Sequence, residues 1–202
     1  MSTTNKEEKL VYYTQYETPI STSRVIHFYL SDVINEPRHY VDMIHRIKTS
    51  SPNDTIYIYL NTPGGQLNTG VQIISAMRSS PAHVVTVLEG DVGSLGTLIF
   101  LSGDEFVVHD NCQFFIHNFS SGTQGKGNEQ LAQIESTIKW FNKLAKETYV
   151  PFITKQELDE VLEGKDRYMD SDEVRRRLKK MVKTLQKEDQ ETKIKKEEPI
   201  TE

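Results

Sequence analysis

The sequence predicts an α/β fold with parallel strands joined by helical crossovers, and three observations carry that prediction. A short β-branched run alternates three times with an amphipathic stretch. The second and third runs each end in a glycine-bearing turn that opens the next helix. The chain has 202 residues, 36% of them hydrophobic, which fits one domain of ordinary size better than two. Alternation of this kind implies parallel strands with right-handed connections.

Residues 24–30 read as the first strand, with Val25, Ile26 and Phe28. Pro37 then opens a helix with Tyr40, Ile44 and Ile47 on one face, at a first-turn position where its missing N–H costs nothing. Residues 55–60 are the second strand, and Leu67, Val71, Ile74 and Met77 follow at helical spacing. Residues 84–88 are the third, followed by a short apolar helix over 94–101 that Gly103 ends. Two short strands come next, 106–108 and 112–116, separated by the turn residues His109, Asp110 and Asn111. A glycine-rich segment, 120–127, precedes the longest helix, 128–150. Leu131, Ile134, Ile138, Phe141 and Ala145 form one stripe on it, suited to packing on the chain's own sheet. Trp140 and Leu144 lie off that stripe and need another cover, such as a second subunit.

From residue 171 onward the composition shifts, with 10 Lys or Arg and 8 Asp or Glu among 32 residues. Val174, Leu178, Met181 and Leu185 support a helix to about Lys187. The expected organisation is a flexible segment over 1–23, a folded domain over 24–187 and a charged, disordered tail over 188–202. The formal net charge of −5 gives no footprint for nucleic acid or an anionic membrane, so both are excluded as primary partners. Cys112 is the sole cysteine, which rules out an internal disulfide and a cysteine-based zinc cluster. No secretory signal or membrane-length apolar run is seen, so a soluble, cytoplasmic protein is expected.

The chemistry concentrates at the two glycine turns, Asn61 to Gly65 and Gly90 to Gly96. At a strand-to-helix junction, unpaired backbone N–H groups suit a negatively charged oxygen. Neither turn has phosphate-loop spacing, and Ser94 is not in a G-x-S-x-G elbow because position 92 is Val. A serine nucleophile needs a base, and the base needs an acid. Ser94, His117 and Asp166 supply these residue types. Each also has a plainer reading from spacing alone: Ser94 as a helix N-cap, His117 as a core histidine, Asp166 as a cap or surface carboxylate.

Four blocks, in order, resemble the ClpP family, the proteolytic subunit of ATP-dependent Clp proteases. They are Tyr57 to Gly65; Gly93, Ser94, Leu95 and Gly96; Phe115 to His117 with Gly122 to Gly125; and Asp166 to Met169. The resemblance covers roughly residues 24–170 and implies a ClpP/crotonase-like α/β fold with a protruding helix–strand handle. It implies a serine endopeptidase with Ser94 as nucleophile, His117 as general base and Asp166 as orienting acid. The backbone N–H groups of Gly65 and Leu95 fall on the oxyanion hole. Gly64 and the strand holding Ser120, Ser121 and Gly122 fall on the substrate-binding edge, where an extended peptide pairs through its main chain. Stacked homo-oligomeric rings, unfolded polypeptide substrates and an AAA+ unfoldase partner are implied. No cofactor is expected, ATP being used only by that partner. Departures are visible: Leu95 stands where the family usually has Met, Asn118 and Phe119 replace Gln-Pro, and the N- and C-terminal blocks differ. Those departures motivate a second reading, a catalytically impaired structural or regulatory member. A crotonase-like acyl-CoA enzyme fits less well, since no basic stretch near the turns suggests a CoA phosphate site.

Overall fold

Period-two patterning in the strand sequences becomes a two-faced sheet in the computed structural model, which describes residues 14–20 and 22–197. The chain divides into two units, 1–109 and 110–202, where the sequence reading has one domain over 24–187. In the first unit Thr14–Ile20 (β1) pairs antiparallel with Ser23–Leu30 (β2). Thr55–Thr62 (β3) lies parallel to β2, His83–Gly93 (β4) parallel to β3, and Glu105–Val108 (β5) parallel to β4. The crossovers run through a 3-10 turn, Pro37–Tyr40, into Val41–Lys48 (α1), then Leu67–Arg78 (α2) and Leu95–Phe100 (α3). The expected parallel α/β arrangement is thus present. Strand β1 falls inside the segment expected to be flexible, of which residues 1–13 lie outside the described residues.

Burial explains the alternation. Ile26, Phe28 and Leu30 of β2 and Ile56, Ile58 and Leu60 of β3 are buried. They share a core with Met43 and Ile47 of α1 and Ile73 and Ile74 of α2. The opposite face carries a ladder of partly exposed rings. Tyr29 stacks on Tyr59 at 4.6 Å, and His27 lies 5.4 Å from Tyr57. The register places those pairs directly opposite one another. In β4, Val84 to Leu88 are all buried, as expected for a central strand covered on both faces. The start of β2 is fixed by Asp54. Its buried carboxylate accepts from the Arg24 N–H, from the Arg24 guanidinium at 2.6 and 3.2 Å, and from the Ser51 N–H.

The second unit contains Gln113–Ile116 (β6), Gly127–Tyr149 (α4), Lys155–Leu162 (α5), Arg167–Asp170 (β7) and Ser171–Glu197 (α6). β6 and β7 pair antiparallel, Ile116 opposite Arg167. Helix α5 starts with a capping box, in which the Thr154 hydroxyl accepts from the Glu157 N–H and the Glu157 carboxylate accepts from the Thr154 N–H. Glu157 also accepts two hydrogen bonds from Arg177 of α6 and one from Arg167 of β7, which ties three elements together.

Three expectations change here. The segment holding Ser120, Ser121 and Gly122 is irregular, with no ladder partner among the described residues, because an edge segment gains strand geometry only from a neighbouring strand. On α4 the stripe splits. Phe141 and Ala145 are buried, whereas Leu131, Ile134 and Ile138 are 59%, 41% and 42% exposed. Leu144, expected to need an outside cover, is buried, while Trp140 is exposed. The first half of the helix runs on beyond what its own unit can cover. Finally, α6 keeps helical backbone to Glu197, ten residues into the expected disordered tail, while 198–202 lie outside the described residues. Its Lys, Gln and Glu residues are good helix formers even with nothing to bury.

Candidate active site

Both glycine turns belong to the first unit and are locked together by side chains from the strands that feed them. The β3–β4 register shifts at Asn61: Leu60 pairs with Leu88 and Thr62 with Val92, so β4 bulges through Glu89, Gly90 and Asp91 opposite that single residue. The Asn61 side-chain oxygen accepts from the Asp91 N–H at 3.1 Å, and a Cβ on Gly90 would come within 2.5 Å of that oxygen. The Thr62 hydroxyl donates to the Asp32 carbonyl at 2.6 Å and accepts from the Gly64 N–H at 3.1 Å. Ile34 pairs with the turn on its other side, donating to the Gly64 carbonyl and accepting from the Gln66 N–H, each at 2.8 Å. Among the described residues, Gly65's own N–H makes no hydrogen bond.

Gly64 and Gly65 are required where they stand. Their φ values are +97° and +152°, and a Cβ on Gly65 would lie 2.1 Å from the Ile34 carbonyl oxygen. A Cβ on Gly64 would meet the Ser94 Cβ at 2.8 Å and the Leu95 nitrogen at 2.9 Å. The absence of side chains therefore brings the first turn against the second, with Ser94 and the Leu95 N–H at the contact.

Ser94 sits between β4 and α3 with φ 51° and ψ −123°, a conformation that costs a non-glycine residue about 1–3 kcal/mol. It occupies the N-cap position of α3, yet its side chain makes no capping hydrogen bond. The plain cap reading of Ser94 therefore loses its support. The helix start is held instead by Thr97, whose N–H and hydroxyl both donate to the Ser94 carbonyl, at 3.0 and 2.6 Å. Leu95 turns its side chain inward onto Gly70 of α2, where a Cβ would come within 2.2 Å of it. Its N–H is at the first position of the helix, one of those with no intrahelical acceptor.

The second unit carries the other candidates. His117 follows the last residue of β6 and is partly buried. Its ring stacks on Phe115 at 4.9 Å, and Phe115 stacks on Tyr168 of β7 at 4.3 Å, so a column of rings fixes the imidazole plane. Asp166 immediately precedes β7. The antiparallel register, continued by one pair beyond Ile116 and Arg167, puts His117 opposite Asp166. No hydrogen bond joins the two among the described residues. The turn delivering Asp166 is built by Gly164, at φ +104°, with Gly164 N–H donating to Val161 and Lys165 N–H to Glu160. On either side of Asp166, Lys165 pairs with Glu160 at 2.7 Å and Arg167 with Glu157 and Glu160 at 3.1 and 2.9 Å. Asn118 donates to the Leu162 carbonyl at 2.8 Å, tying the chain after His117 to the end of α5. Ser120, Ser121 and Gly122 are exposed in the irregular segment beyond.

The chain matches the Clp protease family over residues 8–177, a span that holds both glycine turns, Ser94, His117 and Asp166. It belongs to the Clp protease family. Among curated proteins it is 33% identical over 105 residues to an ATP-dependent Clp protease proteolytic subunit of Streptococcus suis (strain 98HAH33), covering 50% of this chain and 53% of that one. It is 25% identical over 95 residues to a protein of the same description from Chlorella vulgaris, covering 46% and 47%. The chain spans about half the length of the curated relatives it matches. Among the described residues, no helix is long and apolar enough to cross a membrane, and no group of three or more His, Cys, Asp or Glu could hold a metal ion. The Clp protease match ends within α6, at Arg177.

Sequence reasoning did not find the scaffold. Asn61, Thr62 and Ile34 hold the turns through contacts with segments about thirty residues away, which no local pattern announces. The stacking of Phe115 on His117 was legible in principle, since residues two apart share a strand face.

Proposed function

We propose that this member of the Clp protease family is a serine endopeptidase that cuts extended polypeptides through Ser94, His117 and Asp166. One observation carries the reading: Ser94 is held in a strained strand-to-helix turn with its hydroxyl not spent on capping the helix. Strain of this kind persists where the surroundings over-determine it, and here Gly64, Gly65 and Thr97 do so.

The mechanism follows from the groups. His117 accepts the Ser94 proton as Oγ attacks the scissile carbonyl, and the carbonyl oxygen becomes an oxyanion. The Gly65 and Leu95 N–H groups stabilise that charge, each contributing roughly 3 kcal/mol if they match a typical oxyanion donor. His117 then passes the proton to the leaving amine, and water repeats the sequence to release the acyl chain. Asp166 fixes the tautomer of His117 and stabilises its charged form. Ser120, Ser121 and Gly122, together with Gly64, line the edge where an extended substrate pairs. Such a substrate would also supply the strand partner that the 120–122 segment lacks. The exposed Leu131, Ile134, Ile138 and Trp140 of α4 support assembly of copies into stacked rings that admit only unfolded chains, fed by an AAA+ unfoldase.

Hydrolysis of a fluorogenic peptide by the full chain tests the reading. Ser94→Ala, His117→Ala and Asp166→Ala should each lower kcat by about a thousandfold or more, and double variants should lose little beyond that. Near-wild-type turnover in His117→Ala would overturn the assignment.

A further inference from the structure

Helix α6 carries a cationic stripe, neutralised only in part, that the proposed peptidase chemistry does not use. Arg175, Arg176, Lys179, Lys180 and Lys183 line one open groove of about 480 Å³, with Asp172 as its single carboxylate. Spacings of three, four, seven and eight residues place them on one helical face, and Lys187 extends the row by another turn. Arg175 is paired, with Asp110 and Asp172, and Arg176 reaches Glu173 at 3.8 Å. Lys179, Lys180 and Lys183 are exposed and form no salt bridge among the described residues. The contrast with Arg177, one face round, is sharp: it holds both Glu157 and Glu173 at under 3 Å. One flank of α6 is thus stapled to its unit through Arg177; on the other, Arg175 is tied down, while Lys179, Lys180 and Lys183 present positive charge to solvent on a chain of net charge −5.

We propose that this stripe docks an acidic polypeptide segment of a partner protein. Charge complementarity selects an anion, and the row decides among anions. Arg175, Lys179, Lys183 and Lys187 repeat every four residues, about 6 Å apart along the helix and about 18 Å in all. Alternate carboxylates of an extended peptide are spaced about 6.6 Å apart, and carboxylates four apart on a helix about 6 Å, so either form of acidic segment matches the row. No aromatic side chain lies in the groove, so stacking of nucleobases has no platform. No apolar side chain lies there to enter a bilayer.

The test is fluorescence anisotropy on the full chain with a labelled peptide of about eight residues alternating glutamate and serine. Wild type should bind, and the affinity should fall about tenfold or more as salt rises from low to about 0.5 M. The double variant Lys179→Gln/Lys183→Gln, whose exposed positions and helix-forming replacements preserve the fold, should bind about tenfold more weakly at low salt. Lys143→Gln on α4, in the same unit, should bind as wild type does. Equal binding by the double variant, or binding insensitive to salt, would overturn the proposal. So would tighter binding of a charge-matched single-stranded oligonucleotide or of anionic lipid vesicles, either of which would make the stripe a site for a different class of partner.

Discussion

At the scale of single residues, the site depends on positions where a side chain cannot be present. Gly65→Ala places a Cβ 2.1 Å from the Ile34 carbonyl at a φ of +152°, so we expect destabilisation of about 2 kcal/mol or more in thermal unfolding, with loss of peptidase activity. Gly122→Ala meets nothing within 4 Å and should unfold at the wild-type temperature. Equal effects of the two substitutions would remove the steric account of the first turn. Glycines at strand-to-helix junctions were legible in the sequence because few other residues accept those angles. The side chains that brace them were not. Asn61, Thr62 and Asp91 are ordinary polar residues until β3 and β4 lie side by side. Asp166 is a similar case. Spacing alone gave a surface carboxylate, and only the β6–β7 register sets it opposite His117.

At the scale of elements, two carboxylates anchor the frame, and both are depressed by guanidinium partners. Hydrogen bonding from Arg24 holds Asp54 at a pKa of about 2, and hydrogen bonding from Arg177 holds Glu157 at about 2. Both values lie below those of the unfolded chain, about 3.9 for Asp and 4.3 for Glu. Their stabilisation is therefore fully present above about pH 4 and is lost as pH falls towards 2. Asp54→Asn should cost about 3 kcal/mol near neutrality, since it removes the buried carboxylate that Arg24 holds at 2.6 Å and leaves that guanidinium only Glu17, at 3.6 Å. The gap between variant and wild type should close on acidification, as followed by urea midpoints across that range. A gap that stays constant to pH 2 would contradict the linkage. The elements themselves were mostly readable, since buried faces impose their period on the sequence: β2, β3, α2 and the later half of α4 follow it, and β4, covered on both faces, reads as a near-continuous apolar run. Strand β1 escaped because Thr14 to Thr18 are exposed on a sheet edge, where no burial period is imposed. The outer half of α4 misled for the converse reason. A stripe reads the same whether its cover is in the same chain or in another.

At the scale of the whole molecule, the proposed assembly would cover that exposed stripe. Ile134→Glu or Ile138→Glu on α4 should shift light-scattering mass towards the monomer and reduce peptide hydrolysis with it, whereas Leu144→Glu should unfold the chain instead, because Leu144 is interior. A wild-type chain that is monomeric at micromolar concentration and fully active would contradict this. The proposed peptidase function rests on Ser94 being a nucleophile that His117 activates, and one measurement reaches that directly. The full chain is treated with a fluorophosphonate probe, digested, and the modified peptide identified by mass spectrometry. The account predicts a single adduct on Ser94 that disappears in a folded His117→Ala variant. Labelling of another serine, or Ser94 labelling undiminished without His117, would contradict it.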